Sequence, residues 1–320
     1  MSSGLAEIAK QLLHEQIQEW ALPQKHYNGL KDVVVKEFSI GGVPIKVQFN
    51  PGRMISTSAK VDTKSISERK CFLCLANLPA EQRGIDYANE YTVLVNPFPI
   101  FPEHFTIPHK EHIPQRISDH LPSLFTLAAD LGDDFTVFYN GPKCGASAPD
   151  HFHFQAGTRG FMTIEDDFKN RRASISRYLL RGLVSVSAVD DGIRKYLVLE
   201  SKDKIELQRI FLEVFNVYSQ QFPDEIESLL NVLALFEQKE NLWRIFILLR
   251  AKHRPARYFA EDESRITLSP AAVDLGGVCI IPVKEDFEKV NEEILKEIFA
   301  EVFISEHAFN DYVATLESSL

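Results

Sequence analysis

The sequence predicts an α+β protein, an antiparallel sheet with helices packed on it. Short apolar runs bounded by turn residues recur along the chain and read as strands. Between them lie segments whose apolar residues repeat at helical spacing. The chain has 320 residues, 45% of them hydrophobic and with no low-complexity run, so it can bury a large core.

Leu5 to Trp20 carries Leu5, Ile8, Leu12, Leu13 and Ile17 at helical spacing and reads as an amphipathic helix. Alternating runs at 33–38 and 43–49, joined through Gly41-Gly42, read as a hairpin. Strands are expected at Tyr91–Asn96, Phe105–Pro108, Phe135–Asn140 and His151–Gln155, with a helix through Leu121–Asp130; together these strands are expected to form one sheet. In the second half a strand is expected at Trp243–Leu249 and another at Val278–Ile281. Helices are expected over Glu206–Tyr218, Ile226–Phe236 and Phe287–Ile304, and Ser269–Gly277 reads as a turn into the strand after it. The longest apolar runs are far too short to cross a membrane.

The chemistry concentrates between Asn140 and Gln155. Side chains alternate along an extended strand, so His151, His153 and Gln155 share one surface while Phe152 and Phe154 face a core. Just upstream, Gly141, Gly145, Ala146 and Ser147 form a small-residue loop whose backbone N–H groups can approach an anion, with Lys143 adding positive charge. A row of imidazoles beside an oxyanion cradle points to phosphoryl chemistry.

Cys71-Phe72-Leu73-Cys74 is the second signal. Two thiolates at this spacing can grip one metal ion, and tetrahedral zinc then needs two further nitrogen or sulfur ligands. The competing readings are two buried cysteines acting as small hydrophobes, or a redox pair. The remaining cysteines are Cys144 and Cys279 and no secretory signal is visible, so a reduced, cytoplasmic protein without disulfides is expected.

These residues resemble the active-site signature of the histidine-triad superfamily, in its galactose-1-phosphate uridylyltransferase branch, which carries His-x-His-x-Gln. The Gly-x-x-x-Gly-Ala-Ser run is more similar to that of diadenosine tetraphosphate phosphorylases and ATP adenylyltransferases. The resemblance extends to Asn96-Pro97-Phe98-Pro99 and to the segment His104–Pro114, and covers roughly residues 70–160. It implies a nucleotidyltransferase or phosphorylase, acting on a nucleoside diphosphate-X or a dinucleoside polyphosphate, with phosphate or a phosphorylated acceptor. It also implies zinc on Cys71, Cys74, His112 and His151, with His109 a competitor of His112.

With His151 on the metal, His153 is the expected nucleophile, forming a nucleotidyl-histidine intermediate. Gln155 would hold a phosphoryl oxygen, helped by Ser147 and the loop amides. A neutral amide cannot pass a proton to a departing group, which suits leaving groups that depart as phosphates and disfavours the alternative of a histidine-triad hydrolase. A non-catalytic nucleotide- or zinc-binding protein is the other alternative.

In that branch the second half of the chain resembles a degenerate copy of the first. The same arrangement here gives a catalytic half over residues 1–170 and a degenerate half over 171–320, in one compact unit with one active site. Asn96, Asn140, Gly141, Lys143, Gly145 and Ser147 are expected to contact the substrate, joined by Arg250, Lys252 and Arg254 from a basic cluster reaching over the site. A net charge of −10 speaks against a nucleic acid partner, no membrane partner is expected, and a homodimer is allowed. The sequence leaves base and acceptor open.

Overall fold

The computed structural model of the protein describes residues 4–54 and 62–320. Its centre is a ten-stranded sheet. The strands contributed before residue 170 are β3 (Gly84–Tyr87), β4 (Tyr91–Val95), β5 (His104–Pro108), β6 (Phe135–Asn140) and β7 (His153–Thr158). Those contributed after it are β8 (Ser176–Leu180), β9 (Val184–Asp190), β10 (Lys195–Ser201), β11 (Leu230–Glu237) and β12 (Leu242–Leu249). Their spatial order is β3-β4-β5-β7-β6-β11-β12-β10-β9-β8, with every neighbouring pair antiparallel.

Counted inward from each edge, the two sets of five follow one plan. The third strand is followed by a helix, Leu121–Leu131 in one set and Lys204–Ser219 in the other, and the last two strands exchange places in the sheet. The sets meet at β6 and β11, where Asn140 stands opposite Asn231. The chain is thus two similar halves fused through one continuous sheet.

Side-chain alternation gives the sheet two distinct faces. Phe105, Ile107, Phe152, Phe154, Leu197 and Leu199 enter one core, which is covered by the helices Leu5–Glu19, Leu121–Leu131, Lys204–Ser219 and Glu306–Ser319. Phe138, Tyr196, Val198, Leu233 and Phe246 enter the other core, which is covered by a smaller sheet. That smaller sheet is β1 (Val34–Ile40) and β2 (Val43–Phe49) joined by β13 (Val278–Ile281), the last pairing parallel to β2. The expected hairpin therefore forms outside the main sheet and lies across it.

Three further expectations are corrected. Residues 226–236 are not a helix, because β11 occupies the centre of the sheet and is buried on both faces from Leu230 to Phe236. Apart from Asn231 the buried stretch Leu230–Phe236 is apolar at every position, so no period of two separates it from a helix. The helix expected over Phe287–Ile304 is two helices, Lys284–Lys289 and Glu292–Val302; Asn291 starts the second by accepting a hydrogen bond from the Ile294 amide. The histidine strand begins at His153 rather than His151, which sits in the preceding turn with its amide donating to the Ala148 carbonyl. Among the described residues no helix is long and apolar enough to cross a membrane.

Candidate active site and metal centre

A cavity of about 360 Å³ opens between the two sheets, near the ends of β4, β6 and β7. The main sheet supplies Asn96, Thr106, Phe138, Asn140, His153 and Gln155. Gly145, Ala146 and Ser147 supply one wall, and His253, Arg254, Ser269, Ala271 and Asp274 of the second half supply another. Trp20, Leu22, Leu78, Pro79 and Phe98 add apolar lining.

His153 is only 3% exposed. Its Nδ1 lies 2.9 Å from the His151 carbonyl and, as the only partner able to donate, carries the proton. Nε2 has no partner among the described residues and is the nitrogen left to the cavity. Burial pushes the His153 pKa down to about 4, a shift opposed in part by the bond to the His151 carbonyl, so the ring is neutral at physiological pH. The backbone around it is stapled by buried Gln115, which accepts from the His153 amide at 2.8 Å and donates to the carbonyls of His153 and Asn140.

The loop before β7 is shaped by two glycines. Gly141 N–H donates to the Leu230 carbonyl, and a Cβ there would come within 2.9 Å of that oxygen. Gly145 has φ of +95°, and a Cβ on it would stand 2.5 Å from that of Ala271. The loop of the first half is thereby pressed directly against the second half.

Beside the cavity, Cys71, Cys74, His112 and His151 bring one ligand atom each within 4.8 Å of one another. Cys71 Sγ is 3.3 Å from His151 Nδ1 and Cys74 Sγ is 3.2 Å from His112 Nδ1, close to the roughly 3.3–3.8 Å edges of a tetrahedral zinc site. A tight turn sets the cysteines: Cys74 N–H donates to the Cys71 carbonyl, and Asn77 Nδ2 donates to it as well. The outer shell fits a metal too. His151 Nε2 donates to the His109 carbonyl at 2.7 Å, which leaves its Nδ1 lone pair facing the sulfurs, and His112 Nε2 faces Asp150 at 3.5 Å. His109 contributes a backbone oxygen rather than its ring, which lies against Tyr91.

Of the residues expected to contact substrate, Asn96, Asn140, Gly145, Ser147 and Arg254 line the cavity with His153 and Gln155, whereas Gly141, Lys143, Arg250 and Lys252 do not. Lys143 points outward and pairs with Glu225 at 2.7 Å; Lys252 pairs with Glu301 at 2.8 Å. Arg250 is fully buried and spends its guanidinium on Asn231 and on the carbonyls of Lys252, His253 and Pro270. Gly141 acts on the path of the loop. The basic cluster is thus mostly structural, with Arg254 as its cavity-lining member, held by a 2.8 Å bond to the Ser269 hydroxyl.

Sequence reasoning missed Arg53, His104, His253, Ser269 and Asp274. Arg53 reaches the cavity from the turn after β2, donates to the Phe98 carbonyl, and has its pKa pushed down to about 10 by burial. No spacing ties it to the histidine row. Ser269 and Asp274 lie in the segment read as a simple turn; it is also a cavity wall, with Asp274 accepting from the Ala271 and Ile280 amides.

The duplicated sheet carries the His-x-His-x-Gln row on its first half, and comparisons with known proteins place similar sequences and folds beside it. Residues 12–158 match a domain of unknown function (DUF4922), and residues 171–318 match the GDPGP1-like, C-terminal domain. Galactose-1-phosphate uridylyltransferase of Caldanaerobacter subterraneus subsp. tengcongensis is 28% identical over 182 residues, which are 50% of this chain and 33% of that protein. The chain spans about a third of that relative's length. Yeast Ap4A phosphorylase Apa2 has the same fold: its structure alone superposes with a TM-score of 0.61 at 17% identity, covering 93% of this chain and 97% of that one. Its complex with Ap4A gives the same TM-score at 15% identity, with the same coverage.

Proposed function

We propose that the protein is a nucleotidyltransferase or phosphorylase that carries a nucleotidyl group on His153. The observation that carries this reading is the fixed tautomer of His153: Nδ1 holds the proton against the His151 carbonyl, and the Nε2 lone pair is left to a cavity lined by Gln155, Ser147 and Arg254. In the first step Nε2 attacks the α-phosphorus of a nucleoside diphosphate-X or dinucleoside polyphosphate. An N–P bond forms, the P–O bond to the leaving phosphate breaks, and that oxygen keeps the electron pair. The positive charge on the imidazole is met by the His151 carbonyl. In the second step an oxygen of inorganic phosphate or a phosphorylated acceptor displaces Nε2, restoring the neutral ring.

Gln155 and the Gly145–Ser147 amides would hold the phosphoryl oxygens as charge builds. The apolar lining supplied by Trp20, Leu78 and Phe98 would take the base. Arg254, contributed by the second half, would hold the acceptor phosphate. Similarity to a uridylyltransferase and the fold of a phosphorylase support this reading.

The Cys71, Cys74, His112 and His151 donor set suits zinc, and four protein ligands leave no open position, so the ion would be structural and would fix the turn carrying His151. The thiolates it needs fit a reducing compartment such as the cytoplasm.

The test is a panel of nucleoside diphosphate sugars and dinucleoside polyphosphates incubated with phosphate, read by release of a nucleoside diphosphate. Ping-pong kinetics and a labelled nucleotide trapped on the protein in acid-labile, base-stable form are expected. His153→Ala should abolish both. Turnover that survives in His153→Ala would end this reading.

A further inference from the structure

Four amide side chains line the cavity; Gln82 donates its Nε2 to the Val95 carbonyl, and in the other three the oxygen is already engaged. Asn96 Oδ1 accepts from the Phe98 amide at 2.9 Å. Asn140 Oδ1 accepts from the Ala272 amide at 2.9 Å and from Asn231 Nδ2 at 2.7 Å. Gln155 Oε1 meets His104 Nε2 at 3.1 Å. Backbone N–H groups can only donate, so the first two assignments are fixed without ambiguity.

The third is fixed by a relay. His104 is fully buried, and its Nδ1 accepts from the Ile100 amide at 3.2 Å. Burial pushes its pKa down to about 3, with nearby Arg53 acting in the same direction, so the ring is neutral. A neutral imidazole that accepts at Nδ1 carries its proton on Nε2 and donates there. Gln155 Oε1 is therefore the acceptor, and its N–H2 is the end left to the cavity. A second relay orients Asn140: buried Arg250 donates to Asn231 Oδ1 at 2.9 Å, which forces Asn231 Nδ2 towards Asn140 Oδ1 and the Cys144 carbonyl.

We infer that Gln155 and Asn140 are locked as hydrogen-bond donors by two buried relays, Ile100–His104 and Arg250–Asn231, so that the cavity receives an anionic phosphoryl group. His104 and Arg250 are positioning residues in this arrangement. The inference deepens the nucleotidyl reading by assigning what holds the phosphate, and it concerns ligand binding before any bond is made. It also accounts for the burial of Arg250: the guanidinium acts on the phosphate site through two amides rather than by touching the ligand.

Binding of AMP, GMP and UMP is compared with that of adenosine, guanosine and uridine by calorimetry. Gln155→Glu and Asn140→Asp keep the acceptor oxygen that each relay needs and replace only the donor. Each is expected to weaken whichever monophosphate the wild type binds by about tenfold or more, while its nucleoside is unaffected. His104→Gln can reach the Nε2 position with an N–H and should bind as the wild type does. His104→Asn cannot reach it, should match the loss in Gln155→Ala, and should add nothing to that variant.

Unchanged monophosphate affinity in both carboxylate variants, equal loss of the nucleoside, additive loss in the double variant, or no measurable binding by the wild type would each overturn the inference. Thermal melts of the variants separate loss of fold from loss of binding. A failure to trap any adduct on the wild type would sink the catalytic reading while leaving the binding comparison intact.

Discussion

His153 Nδ1 donates to the carbonyl of His151 at 2.9 Å, while the ring of His151 lies 3.3 Å from Cys71 Sγ. One residue thus belongs to both centres, its backbone orienting the proposed nucleophile and its side chain the metal cluster. Neither role needs the other chemically, yet a shift of the 148–152 turn would disturb both.

Metal removal should therefore cost fold before it costs rate. Structural zinc in peptide systems contributes about 10–16 kcal/mol of apparent binding free energy, comparable to the stability of a whole domain. Cys71→Ser, or prolonged chelation, is expected to lower the melting temperature and to reduce labelling of His153 in parallel with the metal content. A chelated protein of unchanged melting temperature would show that the cluster needs no ion.

Acid should destabilise the protein through buried histidines that are not part of that cluster. Burial, aided by Arg53 at His104 and by Arg254 at His253, pushes both pKa values down to about 3. In the unfolded chain each returns to about 6.5, so the unfolded state binds more protons between these limits. Stability is full above pH ~6.5 and falls as pH drops through the window, by up to about 1.4 kcal/mol per pH unit for each group. Urea unfolding at pH 7.5, 6 and 5 should show this loss, and His104→Gln, which cannot titrate, should shrink it. An equal loss in that variant would exonerate His104.

Much of the first half was legible because its polar residues alternate with phenylalanines. Phe152 and Phe154 do face a core, and His153 and Gln155 do face the other way. The second half was harder for a physical reason: β11 is buried on both faces and carries no period, so it read as a helix while β12 read correctly as a strand, and Arg250 reads as surface charge although it is fully buried. His104 was visible within a matching segment, but its relay role depends on Ile100 and Gln155, which only the folded backbone brings to it.

The basic residues that sequence placed together should separate on mutation. Arg254 lines the cavity, whereas Lys143 is paired with Glu225 at 2.7 Å on the surface and is 61% exposed. Arg254→Ala is expected to raise the KM for phosphate about tenfold or more, since a hydrogen bond to a charged group is worth roughly 1.5–3 kcal/mol. Lys143→Ala should change little, because exposed pairs contribute about 0–1 kcal/mol. Steady-state kinetics at saturating nucleotide would decide, and equal effects would return Lys143 to the site.

Gly145 offers a test of how the halves cooperate. Its φ of +95° disfavours any side chain, and a Cβ would stand 2.5 Å from the Cβ of Ala271, a cavity-lining residue of the second half. Gly145→Ala therefore combines backbone strain of about 1–3 kcal/mol with a steric clash between the halves. The loop can relieve the clash by moving away from Ala271, but that displaces the amides of Ala146 and Ser147 from the phosphoryl position. A fall in kcat larger than any rise in KM is expected, with a lower melting temperature. Ala271→Gly removes the 2.5 Å contact but leaves the residue 271 Cα at 3.0 Å and the strain, so the double variant should recover part of the activity and less of the stability. Full recovery of both would mean that contact with Ala271 alone dictates glycine here, and no recovery would assign the requirement to φ.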